Sequence, residues 1–387
     1  MKRLLGFFLM LTLALAGCSG GGSSGGGDAA EVAEYKEAVP DSMQLSKLLI
    51  PGTNGRAAPI IGQDATFPAI AVPVAVAVNG VVEIIVTALQ NVVDSPYTYF
   101  DRENGQVFWG PFDYDGGNGE IVLMVEKQDK DTAEEPDAYA WILFRVPDGF
   151  DLAAAIAAGE QPADAYPVLA GFSMPDTPEG YSGFAMMDLN ADAAASAALG
   201  ETGPFGQGVF VAAYGSFTDP IDPGTKLEYV MSAFRGFKDA GSADEPLDVD
   251  YLYGNLIGET NLTFFNFVTA GDIITDTSAL ETLNVRMAFL NQADGRAEVT
   301  VTGGDAAGSG YAYECWDNAI NQTYLELGDG VNVSILPIGG DSSLCTPPFE
   351  STLDELQMPT TQSPEMEELF LLLGTLADGG IGGLTGL

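Results

Sequence analysis

Three kinds of side chain in this sequence could do chemistry: cysteines, carboxylates and short acidic loops. Cys315 and Cys345 stand 30 positions apart, which in an exported chain reads as one disulfide, and a ring of that size would stabilise the fold by about 3–4 kcal/mol through loop entropy. Histidine is absent. That removes Ser-His-Asp and Cys-His nucleophiles, His-ligated zinc and His-ligated haem together. A carboxylate pair, a Ser-Lys dyad or oxygen-ligated calcium survives the exclusion. With 55 acidic residues, neighbouring carboxylates are expected in any fold, so carboxylates alone identify no site. Two stretches imitate calcium-loop spacing: "DYDGGNGE", with Asp113, Asp115, Asn118 and Glu120, and "DLNAD", with Asp188, Asn190 and Asp192. Neither has the sixth-position glycine and twelfth-position glutamate that an EF-hand loop requires, and turn chemistry accounts for both. The sequence therefore assigns no catalytic residue, no metal ligand and no cofactor.

The third cysteine, Cys18, ends a different pattern. Lys2 and Arg3 precede an apolar stretch from Leu4 to Ala16, a charged region followed by a hydrophobic one that falls short of the ~20 residues a spanning helix needs. Leu15-Ala16-Gly17-Cys18 resembles the lipobox of bacterial lipoproteins. The resemblance implies that residues 1–17 are a signal peptide and that Cys18 is the lipidated first residue of the mature chain. It also implies export to the outer membrane, because Ser19 follows the cysteine; either face of that membrane is compatible. Residues 18–39 then read as lipidated cysteine and Gly/Ser tether, with the 19–27 coil reaching about 15–18 Å. Two or more acyl chains hold stably where one is marginal. The formal charge is -41, and -43 once Lys2 and Arg3 are removed. Such a chain repels nucleic acid and anionic headgroups. The acidic surface reads as solubility or salt adaptation, with divalent cations or a basic partner as the other readings.

The elements that would position these residues follow from periodicity. Pro40, Pro51, Pro59 and Pro68 break residues 28–70 into an extended leader. Val78, Val81, Val82, Ile85, Leu89, Val92 and Val93 recur at three- and four-residue steps, one face of a helix that Pro96 stops. Beyond residue 100 the period becomes two: "GEIVLMVEK", "TKLEYVMSA" and "GRAEVTVTGG" each alternate as half-buried strands do. About twelve such runs lie between residues 105 and 314, with connections rich in Gly, Asp and Pro, which argues for an antiparallel meander rather than βαβ units. So many strands exceed what an open twisted sheet sustains, so the fold class is mainly β, a large meander curled into a half-barrel, a barrel or two layers. "DLAAAIAAGE" and "NADAAASAAL" read as short surface helices.

Residues 40–350 form a single β domain on this reading. Trp316, Ile320 and Tyr324, four apart, predict a helix starting near Cys315, with Cys345 clipping the next loop back to it. Residues 351–387 read as an acidic amphipathic helix and a Gly-rich tail. Ser363 is its N-cap and Pro364 its first helical position; Glu365, Glu367 and Glu368 fill the first turn, and Met366, Leu369, Phe370 and Leu373 form one face that docks on the domain.

Together "VFWGPF", "GRAEVTVTGGD", "YECWDNAINQTY" and "GGDSSLC" resemble an uncharacterised group of predicted lipoproteins from myxobacteria and their relatives, over residues 75–346. The resemblance implies the fold and the compartment and carries over no catalytic residue. The expected function is a noncatalytic, outer-membrane-anchored envelope lipoprotein that binds a lipid or other hydrophobic ligand in the curved sheet. The alternative is a structural or adhesion lipoprotein contacting other envelope proteins, and a carboxylate hydrolase is the remaining class. Nucleic acid is not an expected partner.

Overall fold

The computed structural model describes residues 28–40, 65–114, 117–128, 136–158, 161–177, 180–218, 224–238, 240–242, 246–258, 261–271, 279–291, 293–306, 310–328, 336–340, 342–356, 358–361 and 375. Two helices come first, α1 (Asp28–Glu37) and α2 (Thr66–Val93). Four strands follow: β1 (Tyr99–Asp101), β2 (Gln106–Asp113), β3 (Glu120–Lys127) and β4 (Tyr139–Val146). Helix α3 (Leu152–Ala158), β5 (Tyr166–Thr177), β6 (Gly180–Asp188) and helix α4 (Leu189–Ala198) come next. The chain then runs through β7 (Gln207–Thr218), β8 (Lys226–Lys238), β9 (Leu247–Ile257), β10 (Leu262–Gly271), β11 (Glu281–Leu290), β12 (Gly295–Gly303), β13 (Gly310–Trp316), β14 (Gln322–Gly328) and β15 (Leu336–Gly340). The strands form one 15-stranded sheet in sequence order, each antiparallel to the next. The twelve runs with period two are β2 to β13.

The sheet is open, since β1 pairs with β2 and β15 with β14 and the two edges do not pair with each other. It is nonetheless curled. One apolar cluster takes alternate side chains from β2 (Val107, Trp109) through β8 (Val230, Phe234) to β14 (Leu325) and packs them on α2, with Val32 and Tyr35 of α1 and Ala195 of α4 in the same cluster. Only a sheet bent round that helix lets strands so far apart in the order share one core. The predicted stripe of α2 is buried in full, from Val78 to Val93. Its β-branched residues lose side-chain freedom in a helix, so this burial rather than propensity holds the element together. The helix also begins earlier than its periodicity predicts, at Thr66, carrying Pro68 in its first turn, where a proline costs no hydrogen bond.

Three expectations are corrected. Residues 28–37 are helix α1 rather than tether or extended leader: Tyr35 is buried edge-on against Phe100 and Tyr139, and Glu31 and Glu34 pair with Arg102 and Lys127. No helix follows Cys315. Asp317 accepts from the Ala319 and Asn321 amides, both at 2.9 Å, and Ile320 adopts φ 61°, which a helix interior forbids. The result is a tight turn into β14, so Trp316 faces the core while Tyr324 lies on the opposite face. Cys345 therefore ties the segment after β15 to a strand, β13, with Cα atoms 5.5 Å apart. The short alanine-rich helices are present as α3 and α4. The expected helix at 363–373, and the whole of residues 1–27, lie outside the described residues.

Cross-strand neighbours explain how so many glycines fit inside strands. In six pairs an aromatic ring lies over the glycine directly opposite it: Trp141 on Gly171, Tyr214 on Gly183, Tyr229 on Gly215, Phe264 on Gly254, Trp316 on Gly295 and Tyr311 on Gly328. A side chain there would occupy the space of the ring. Each glycine thus contributes a slot, and the ring restores the burial that the missing side chain would have supplied.

Candidate functional site

The face with the means to hold a ligand is the concave one, and it is built from alternate positions of every strand from β2 to β14. Trp109, Trp141, Phe210, Phe265 and Phe289 are wholly buried there beneath α2. Its polar groups include hydroxyls. Trp141 Nε1 donates to Ser173 Oγ at 3.2 Å, and that oxygen lies 3.4 Å from the Tyr214 hydroxyl. Ser216 and Ser232, next to Tyr214 on β7 and β8, are buried without a hydrogen-bond partner. Burial pushes the Tyr139 and Tyr253 phenols up to about 12, so these two stay neutral across the physiological range.

Helix α2 spans this face, and polar contacts hold its two ends. At the N-terminus no side chain of the helix caps it. Instead Glu314, reaching from β13, accepts from the Thr66 and Phe67 amides at 2.7 Å each, while Gln322 Nε2 donates to the same carboxylate. The Ala65 amide adds a bond to the Ile320 carbonyl at 2.8 Å. A carboxylate at this position neutralises two of the four amides that a helix start leaves unpaired and complements its dipole. Burial pushes the Glu314 carboxyl above the usual carboxylate range, against the pull of those donors. At the C-terminus Lys36 of α1 donates to the Val93 carbonyl, and Gln90 Nε2 donates to the Pro40 carbonyl at 3.3 Å. Between the clamps the stripe from Val78 to Val93 packs on the sheet.

The two stretches with calcium-loop spacing meet, but around a cation the chain already owns. The Arg145 guanidinium, buried on β4, donates to Asp192 Oδ1 at 3.0 Å, Ser196 Oγ at 2.6 Å, the Asn118 carbonyl at 2.8 Å and Glu201. The Tyr114 ring lies over it at 4.3 Å. Partial burial raises the Glu201 carboxyl, but its bonds from Arg145 and the Asn118 amide outweigh that and hold it below its usual range. Asp188 caps α4 through the Ala191 amide, Asn190 accepts from Gly208, and Glu120 accepts from Gly149 and Phe150. Asp115 lies outside the described residues, as does Cys18. Among the described residues no three acidic or cysteine side chains are grouped to hold a metal.

The other buried carboxylates are also occupied. Glu298 accepts from Arg296 at 2.7 Å and from the Leu353 amide at 2.9 Å, and Glu281 accepts from the Asp305 amide. They close the sheet and its last segment rather than face a cleft. An open depression of about 630 Å³ lies beside α3, lined by Asp148, Asp151, Gln161, Asp164 and alanines, with nothing in it that converges on a point.

Sequence reasoning found the helix stripe, the cysteine pair and the acidic loops but not the Glu314 clamp. That residue sits in a strand whose alternation puts it on the apolar face, in "GYAYECW". A lone glutamate at a core position is the signal that could have marked it. Compared with protein-family models, curated proteins and solved structures, the chain matches none.

Proposed function

We propose that this chain is a noncatalytic envelope lipoprotein, tethered to the outer membrane through Cys18, whose curled sheet and α2 together bind a lipid or similar hydrophobic ligand. The observation that carries the reading is the attachment of α2. A helix clamped at both ends, whose apolar stripe lies over an aromatic and aliphatic concave face, can be lifted by a ligand that replaces those apolar contacts. Two buried hydroxyls without partners, Ser216 and Ser232, supply sites for the polar part of such a ligand. The tether rests on Leu15-Ala16-Gly17-Cys18 and on the resemblance to myxobacterial lipoproteins. The curved sheet with a helix across it is similar in architecture to periplasmic lipoprotein carriers, which is analogy at the level of fold.

A second reading, a structural or adhesion lipoprotein, is favoured by the filling of the concave face, where Trp109, Trp141 and Tyr251 are already buried against their neighbours. Native mass spectrometry of the mature chain, purified from the cell envelope under mild conditions, separates the two. A co-purified lipid mass that leaves on extraction supports the binding module. A clean mass from the same preparation removes that reading and leaves the structural one.

A further inference from the structure

The polar groups of the concave face bear on the class of ligand it accepts, granted the binding reading above. Three of them are buried and, among the described residues, without a hydrogen-bond partner: Trp109 Nε1 on β2, Ser216 Oγ on β7 and Ser232 Oγ on β8. All three residues are 0% exposed. Each lies on this face. Trp109 belongs to the main core, Ser232 stands between Ala212 and Tyr251 in register, and Ser216 is the next position of the same face after Tyr214, opposite Tyr181 on β6. Leaving a buried donor or hydroxyl unpaired costs more than an apolar side chain of the same shape would. Three on one face call for a partner that the sheet does not supply.

Beside Ser232 the floor of the sheet is low. Its cross-strand row continues through Ala212 and Ala185 to Gly171, between the Tyr251 ring on one side and the Trp141 indole, which lies over Gly171, on the other. Side chains this small leave the height that a leucine or phenylalanine would fill. A hydrocarbon chain can lie there with a hydroxyl at its end.

Charge decides what that hydroxyl meets. The three cations at the margins of this face are already paired: Lys127, over the Tyr139 ring, with Glu34 and Asp137; Lys226 with Glu228; and Arg145, between Ile121 and Tyr166 in register, with Asp192 and Glu201. A phosphate or carboxylate headgroup entering here would shed its water without gaining a free cation, in a chain of formal charge -41. The unpaired groups are an N–H and two hydroxyls, which suit uncharged oxygen: the N–H donates to a carbonyl, and a hydroxyl donates or accepts.

We propose that the ligand is an uncharged lipid with ester and hydroxyl groups, an acylglycerol in chemical class, whose polar group bonds the Ser232 hydroxyl and whose chain lies along Ala212 and Ala185. Ser216, two residues from the end of β7 at Thr218, is the hydroxyl that a headgroup meets nearer the end of the strand.

The test offers the full mature chain, in nonionic micelles, two lipids with the same chains: dioctanoylglycerol, which is uncharged, and dioctanoylphosphatidylglycerol, which carries one negative charge. Native mass spectrometry counts the molecules retained. Dioctanoylglycerol should be retained about tenfold more at equal concentration. Equal retention, or a preference for the anionic lipid, overturns the proposal and leaves the binding reading standing. Retention of neither removes the binding reading, and the proposal falls with it. In the variant that combines Ser232→Ala with Ser216→Ala, retention of dioctanoylglycerol should fall about fivefold while the melting temperature stays at or above that of the parent, because the lost hydroxyls had no partner in the free protein. Undiminished retention in this variant overturns the assignment to the two serines. A lower melting temperature would report a damaged fold, and the comparison of the two lipids in the parent then decides.

Discussion

Glu314 shows how one residue ties two elements that are remote in sequence. Its carboxylate serves as the cap that α2 lacks. Glu314→Ala orphans two buried amides as well as removing the cap, so it should cost about 2–4 kcal/mol, read as a lower urea midpoint. The pH dependence has a definite sign. Burial sets the folded-state pKa of Glu314 above the ordinary 4.5, so the folded chain binds this proton more tightly than the unfolded chain does. The stability linked to it is complete below the unfolded value and is lost as pH rises through the raised folded value. Glu314→Gln removes that titration. From pH 4.5 upward the parent should therefore lose stability relative to the variant, and parallel urea midpoints from pH 4.5 to 7.5 would refute the assignment. Arg145 is the second decisive residue. Replacing it with methionine leaves Asp192 and Glu201 facing one another over a partly buried site, at a cost of about 3 kcal/mol. Because the guanidinium already fills the acidic loops, millimolar calcium should move the parent melting temperature by less than about 1 °C, a shift that tight binding would exceed.

At the scale of elements, the sheet depends on pairs rather than on strand propensity. Gly171→Ala would put its Cβ 2.1 Å from Cζ2 of Trp141 and 2.4 Å from the Phe184 carbonyl oxygen. Neither a buried indole nor backbone can yield that much, so the variant should lose about 2–3 kcal/mol and show altered tryptophan fluorescence. A native-like midpoint and spectrum would mean that the ring is free to move. Such pairs also mark the limit of what the sequence discloses. The alternation of β2 to β13 and the stripe on α2 were legible, because burial on one face writes a period into a single segment. Which glycine would meet which ring was not, because that depends on register between segments. The same reason hid the Glu314 clamp, whose partners lie 247 and 248 residues away. The misread helix after Cys315 shows the converse. Trp316, Ile320 and Tyr324 have helical spacing, yet Asp317 satisfies the local amides more cheaply as a turn, and "QTYLELG" has its own period of two.

At the scale of the molecule, the described residues share one main core between the helices and the curled sheet. It runs from Val32 of α1 through α2, which lies over the concave face, to Leu325 of β14. On the convex face α3 and the disulfide-tied segment bury the two ends. The formal charge of -41 opposes contact with anionic headgroups. The acyl chains expected on Cys18 would then act only as an anchor, contributing about 0.8 kcal/mol per buried methylene to partitioning and nothing to folding. The two contributions separate in one variant. Cys18→Ser should release the protein into the soluble fraction with an unchanged circular dichroism spectrum and thermal midpoint. Recovery in the membrane fraction would mean that some surface other than Cys18 binds the bilayer. Recovery as aggregate would mean that the sheet needs the membrane to cover one of its faces, and the separation of anchor from fold would be lost with it.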